Sequence, residues 1–233
     1  MAEIKVMSTG AVESMVEALG HEFERTSGHR LTMSFMTAGA LREAFLSGQM
    51  PDLLVLPDAA MRSFEQEGRI VGASRKPLAS SVTGLAVLKG AAVPDIATAD
   101  AFKQALIAAK SVSYTDPKAG GSSGKFFAEL LQRLGIAEQV NAKAVLGKRG
   151  ADVARAVADG RAEFGTTFIS EMLPFKELQV VGPLPSEFAN TSTYAAGIPA
   201  QAAEPEAARA LLAALTDPAT RSRWSAAGLD PAF

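Results

Sequence analysis

The chain contains no cysteine and few aromatic residues: among its 233 residues, aromatics make up 6%, with one Trp and two Tyr. The lack of cysteine excludes disulfides, thiolate metal sites, iron–sulfur clusters and a cysteine nucleophile. Lys and Arg number 23 against 25 Asp and Glu, for a formal net charge of -2. The chain has no excess of positive charge to bind phosphates and few aromatic side chains on which bases could stack. We therefore do not expect nucleic acid as a partner.

The sequence also lacks long apolar runs. No segment reaches the roughly 18 consecutive apolar residues of a transmembrane helix, so we expect no membrane-embedded part. The opening residues Met1–Met7 carry no basic n-region, apolar h-region or cleavage site of a secretory leader. We therefore expect either a periplasmic protein whose leader has been removed, or a cytoplasmic protein for which Met1 is the native start.

The composition is that of a globular protein, with 48% hydrophobic and 21% charged residues. At roughly 150 residues per domain, the length allows one large domain or two smaller lobes. Strand-like and helix-like runs alternate, which favours an α/β fold with a mainly parallel sheet. Ile4–Met7 is the first predicted strand, and apolar residues from Val12 to Phe23 follow the spacing of one helix face. Strands are also predicted at Leu31–Phe35 and at Pro51–Pro57.

A similar alternation follows in the second half of the chain. Val112–Thr115 is a predicted strand, Asp116–Gly124 a loop and Lys125–Leu134 a helix. Glu163–Phe168 is another predicted strand, preceded by a helix over Ala151–Ala158. These segments extend the α/β pattern through the chain.

Three small polar loops each join the end of a predicted strand to the start of a helix. Helix N-termini leave backbone N–H groups unpaired and attract anions, to which Ser and Thr hydroxyls can also donate. The simpler alternative is that these residues are ordinary helix caps and loop glycines. The loops are Ser8-Thr9-Gly10, Thr37-Ala38-Gly39 and Gly120-Gly121-Ser122-Ser123-Gly124.

The order of these motifs resembles the type II periplasmic solute-binding proteins of the molybdate-binding group, which also includes an aconitate isomerase. The resemblance runs from Ile4–Gly10 through Arg149–Val153 to Trp224–Leu229. It implies two doubly wound α/β lobes around a ligand cleft, joined by crossover strands near Ser80–Leu88 and Thr191–Ile198. Lobe one would comprise residues 1–80 and 195–233, and lobe two residues 81–194.

The resemblance also implies a ligand site made of hydroxyls and backbone N–H groups. Phe168 stands where the family has a Tyr hydroxyl, and Arg149 adds a guanidinium that suits a carboxylate. The expected ligand is therefore either an organic di- or tricarboxylate or a molybdate-type oxyanion. The alternative interpretation of Lys148-Arg149 is a solvated basic turn without a ligand role. The predicted ligand-binding residues are Ser8, Thr9, Gly10, Thr37, Ala38, Gly39, Gly121, Ser122, Ser123, Arg149, Gly150 and Phe168.

Two functions follow as hypotheses. The first is a monomeric binding protein, without cofactor or metal, that captures a small anion and delivers it to a membrane ABC permease. The second is an isomerase of an unsaturated carboxylate that uses the same cleft. General acid–base chemistry needs a positioned proton acceptor. The only local candidates are Lys148 and the hydroxyls of Ser122 and Ser123, so the catalytic residues stay unknown.

Overall fold

The computed structural model describes residues 1–233, in which strands and helices alternate along the chain. The strands are β1 Glu3–Thr9, β2 Arg30–Met36, β3 Leu53–Pro57, β4 Lys76–Leu88, β5 Val112–Thr115, β6 Ala144–Gly147, β7 Phe164–Phe168, β8 Leu178–Pro183, β9 Thr191–Gly197 and β10 Leu229–Pro231. The helices are α1 Glu13–Ser27, α2 Ala38–Leu46, α3 Asp58–Gln66, α4 Ala99–Ala108, α5 Ser122–Arg133, α6 Ala137–Asn141, α7 Gly150–Ala158, α8 Ile169–Met172, α9 Pro205–Leu215 and α10 Arg221–Ala226. None of these helices combines the length and apolarity that a membrane span requires.

The chain divides into two compact units. The first contains Met1–Ser80 together with Ser192–Phe233, and the second contains Ser81–Thr191. The chain leaves the first unit within β4 and returns to it at the start of β9. The first unit is therefore assembled from two separate stretches of sequence.

In the first unit, β1 is the central strand of a parallel group. It pairs in parallel with β2 on one side and with β3 on the other, and β9 adds to β3 in the antiparallel direction. Helices α2 and α3 contribute buried apolar side chains to the core beside this sheet. The rings of Phe45 and Phe64 lie 5.0 Å apart there, at an angle of 56°.

In the second unit, β5 is the central parallel strand. It lies between β6 and β7, and β4 pairs with both β7 and β8 in the antiparallel direction. Tyr114 of β5 packs against Phe127 of α5 at a ring distance of 5.1 Å. Because parallel strands end at the same edge, the loops after β5, β6 and β7 are neighbours.

The structure corrects several predicted boundaries. The loop predicted over Asp116–Gly124 is shorter than expected, because α5 already begins at Ser122. Gly120 takes a left-handed conformation with φ 79°, which turns the chain sharply into the helix. Strand β4 begins at Lys76 rather than Ser80. Helices α6 and α8 were not predicted, since four or five residues carry too little periodicity.

Gly124 permits close contact between α5 and the end of β5. A Cβ atom added there would lie 2.2 Å from the carbonyl oxygen of Thr115, well inside van der Waals contact. Any larger residue must push the first turn of α5 away from the strand. The missing side chain thus determines where the α5 N-terminus stands.

We predict that Gly124→Ala lowers the free energy of unfolding by about 1–3 kcal/mol, the usual cost of overpacking a tight contact. The measurement is urea unfolding followed by circular dichroism. Gly72→Ala is the control, because a Cβ added at this exposed position meets no atom within 4 Å. Equal unfolding midpoints for the two variants would show that the contact is not tight.

Candidate functional site

The first unit brings two predicted loops side by side. Thr9 at the end of β1 is opposite Met36 at the end of β2, so Gly10 and Thr37 begin adjacent loops. Ser8 is fully buried, and its hydroxyl donates to the carbonyl oxygen of Thr9 over 3.3 Å. Half of the predicted residues therefore share one edge of this sheet.

In this unit, the hydroxyl of Thr9 is the group that most strongly indicates a ligand-binding role. Its side chain is 3% exposed, and its Oγ1 atom has no hydrogen-bond partner. A buried polar atom left in this state costs about 1–3 kcal/mol, so such atoms need an explanation. A ligand oxygen bound at this edge would remove that cost.

Thr37 has a structural role of its own. It is the N-cap of α2, where its Oγ1 accepts a hydrogen bond from the backbone N–H of Ala40 at 3.3 Å. Ala38 and Gly39 form the first turn of that helix. Capping, the simpler sequence interpretation, is thus correct for the Thr37 hydroxyl, while a ligand role for this loop stays a prediction.

The second unit brings the other predicted loops to one edge. Thr115 of β5 is opposite Gly147 of β6, and Tyr114 is opposite Thr166 of β7. The N-termini of α5 and α7 follow β5 and β6, while Phe168 ends β7. Gly121–Ser123, Arg149, Gly150 and Phe168 therefore belong to neighbouring loops of this unit.

The N-terminus of α5 has no side-chain cap, because its N-cap residue is Gly121. Ser122 is half-buried and Ser123 is buried. Thr115, at the end of the preceding strand, is 2% exposed, and its Oγ1 atom lacks a partner. As in the first unit, a buried hydroxyl without a partner lies where a strand ends.

The turn at Lys148-Arg149 is organised by Asp152. The Asp152 carboxylate accepts hydrogen bonds from the backbone N–H groups of Lys148 and Arg149, at 3.1 and 3.0 Å. These two N–H groups are therefore already used within the protein. The Arg149 side chain is half-buried and Lys148 is exposed, so the solvated-turn interpretation fits Lys148 better than Arg149.

Glu171 on α8 lies beside the predicted site residues and was not singled out from the sequence. Its carboxylate packs directly on Gly150: a Cβ added to that glycine would lie 1.8 Å from Oε2 of Glu171. A half-buried carboxylate thus lies at the N-terminus of α7, in the region predicted to hold an anionic ligand. The spacing of four residues from Thr167, across the end of a strand, was the only available signal.

Two hydroxyls connect Glu171 to the α5 N-terminus. Thr167 Oγ1 donates to Glu171 Oε2 over 2.6 Å, and it lies 3.3 Å from Ser123 Oγ. Both hydroxyl-bearing residues are buried. We call Ser123, Thr167 and Glu171 the hydroxyl–carboxylate chain, which links the loops after β5 and β7.

The side chain of Phe168 is apolar and has no hydrogen-bond donor to offer at this edge. It is the last residue of β7, lies opposite Thr83 of β4 and is 3% exposed. Its ring is therefore mostly covered by protein. The hydroxyl that the resemblance implies at this position is therefore absent.

Comparison with known proteins identifies the family. Aconitate isomerase from a Pseudomonas species is 27% identical over 234 residues, covering 98% of this chain and 87% of that protein. The molybdate-binding protein ModA of Azotobacter vinelandii is 26% identical over 185 residues, covering 78% of this chain and 69% of that protein.

The solved periplasmic molybdate-binding protein of Azotobacter vinelandii has the same fold, with a TM-score of 0.78 at 17% identity over 97% of this chain and 98% of that one. The α/β periplasmic-binding-protein fold expected from the sequence is thereby confirmed. The family model for bacterial extracellular solute-binding proteins matches residues 4–230. The chain therefore belongs to the bacterial extracellular solute-binding protein family.

Proposed function

We propose that this solute-binding protein captures a small organic anion, a di- or tricarboxylate, and delivers it to an ABC permease. Three buried threonine hydroxyls lack a hydrogen-bond partner, those of Thr9, Thr115 and Thr166. The proposal is carried by the two that end a strand, Thr9 and Thr115. Each lies at the carboxyl edge of a parallel strand, where helix N-termini also supply backbone donors. Neutral donors of this kind bind anions without a large basic patch.

A carboxylate is favoured over a tetrahedral oxyanion for two reasons. Arg149 is a half-buried guanidinium beside the α7 N-terminus, and its planar fork of donors matches a carboxylate. Phe168 lacks the hydroxyl that the family pattern would offer to an oxyanion. The likeness to aconitate isomerase over nearly the whole chain points to the same ligand class.

An isomerase of an unsaturated carboxylate is the second candidate, favoured by Glu171 and by that same likeness. A proton would leave the carbon next to a double bond, the electron pair would shift the double bond by one position, and the proton would return to the far end of the three-carbon unit. No other reactant is consumed. Glu171 could accept and return this proton, a role for which Lys148 and the serines were the only sequence candidates.

We predict that a carboxylate raises the melting temperature in a thermal-shift screen with molybdate, tungstate, sulfate, phosphate, citrate and both aconitates. A ligand present at 100 times its dissociation constant adds about 2.7 kcal/mol of stability. Citrate or an aconitate should give the largest shift. A screen without any shift would contradict anion binding, and shifts with the metal oxyanions alone would contradict the carboxylate preference.

We predict that Arg149→Ala weakens carboxylate binding by about 10- to 100-fold, the range expected for a lost charge-assisted hydrogen bond. Binding of sulfate should fall less, since its tetrahedral shape does not require the planar fork. Isothermal titration calorimetry measures both. The control is Arg133→Ala, which removes an equal charge from an exposed position in the last turn of α5. Equal losses for both ligands would contradict the proposed role of Arg149.

The isomerase is tested by incubating the protein with cis- or trans-aconitate and separating the two by chromatography. If turnover occurs, we predict that Glu171→Gln lowers kcat by at least about 100-fold, the usual contribution of a general base. The control Glu129→Gln makes the same change at an exposed position on α5 and should keep full turnover. Unchanged aconitate with the wild-type protein would rule this candidate out.

A further inference from the structure

The fully exposed charges on the loops after β5 and β6 all have the same sign. Lys118 lies in the loop after β5, Lys125 is the fourth residue of α5, and Lys148 follows the last residue of β6. All three residues are exposed. None of their ammonium groups takes part in a salt bridge. We call these three residues the edge lysines.

The acidic residues of the same loops are hydrogen-bonded within the protein. Asp116 and Asp152 are both half-buried. The carboxylate of Asp116 accepts a hydrogen bond from the backbone N–H of Lys118 at 2.9 Å, and that of Asp152 accepts from the N–H groups of Lys148 and Arg149. The charges most exposed to water at these loops are therefore cationic, although the whole chain has a formal net charge of -2.

Two of the edge lysines occupy positions where a cation does not favour the fold. The N-terminus of a helix carries partial positive charge, so an acidic residue stabilises the first turn and a basic residue slightly destabilises it. The first turn of α5 contains no acidic residue and is followed directly by Lys125, while Lys148 directly precedes Arg149, the N-cap of α7. Local helix stability gives no reason for cations at these positions, whereas attraction of an anion does.

We propose that the edge lysines steer an anionic ligand towards the carboxyl edge of the second unit, and so accelerate its capture without contacting the bound ligand. Exposed charges act through water over roughly a Debye length, about 8 Å at physiological ionic strength. Charges at the margin of a binding site change the association rate and its salt dependence more than they change dissociation. The inference rests on the proposed anion-binding function and adds a role for side chains outside the binding contacts.

A triple variant that carries Lys118→Gln, Lys125→Gln and Lys148→Gln tests the proposal. We expect its kon for citrate to fall by about 3- to 10-fold at low ionic strength, while koff changes by less than about twofold. Surface plasmon resonance on the immobilised protein measures both rates, and trans-aconitate replaces citrate where citrate gives no thermal shift. As salt rises from about 20 to about 500 mM, the wild-type kon should fall and that of the variant should fall much less, so that the two rates converge.

The opposite edge of the same sheet supplies a matched control. Lys110 precedes β5, Lys89 follows β4 and Lys176 precedes β8, and all three are exposed. Because β4 runs antiparallel to both β7 and β8, these lysines lie at the edge where the parallel strands begin. Changing all three to Gln removes the same charge from the same unit, and should keep the wild-type kon and its salt dependence. Circular dichroism checks that both triple variants are folded.

The outcomes are separable. An unchanged kon in the edge-lysine variant overturns the inference and leaves anion binding intact, and so does an equal fall in the control, because net charge alone would then explain the rate. A loss of affinity that appears in koff also overturns it, since the lysines would then hold the bound anion. If neither citrate nor trans-aconitate binds the wild-type protein, the proposed function is contradicted and the inference falls with it. If the triple variant does not fold, the three single variants, each expected to lower kon by about 1.5- to 2-fold, decide the question.

Discussion

Parallel pairing of strands is the constraint on which the candidate site depends. In each unit a central strand, β1 or β5, has parallel neighbours on both sides, so the strands end at one edge and their loops are adjacent. Residues far apart in sequence, such as Thr115 and Thr167, become neighbours for this reason. The same geometry aims the positive ends of the following helices at that edge. Gly124 then allows α5 to start directly against β5.

The charges in the second unit differ from those expected of a simple anion-binding site. A helix N-terminus stabilises negative charge, and here α7 has two carboxylates of the protein near its first turn. Asp152 holds the backbone of the turn at Lys148 and Arg149, while Glu171 packs on Gly150. An anion bound as proposed would therefore share this region with charges of the same sign. Arg149 gains importance in such a setting, because it places a permanent positive charge at the N-cap of α7.

Much of the fold could be predicted from the sequence, because the apolar spacing that defines helices and strands is local. The face of α1, with Met15, Val16 and Leu19 buried, follows directly from that spacing. The start of α5 could not be predicted in this way. Ser122 and Gly124 are weak helix formers, and tertiary contact with β5 overrides their propensity.

The candidate site was predictable only in part. The hydroxyl and glycine loops are typical of helix N-termini, so Thr9 and Ser123 could be named as candidates from local sequence, whereas Gly150 was implied by the family resemblance. Glu171 could not, because its position depends on α8, a helix of four residues, and on the packing of that helix against α7. Nor does local sequence reveal that Thr37 serves as a cap while Thr9 has no partner. Such differences arise from three-dimensional contacts that no local spacing encodes.

In a site of this kind, a binding protein needs few additional groups to act as an isomerase. Helix N-termini and hydroxyls hold carboxylates whether or not the ligand reacts, and they need no change to serve a catalyst. Proton transfer requires one further element, an acceptor next to the bound carbon skeleton. A carboxylate in the position of Glu171 would supply that element.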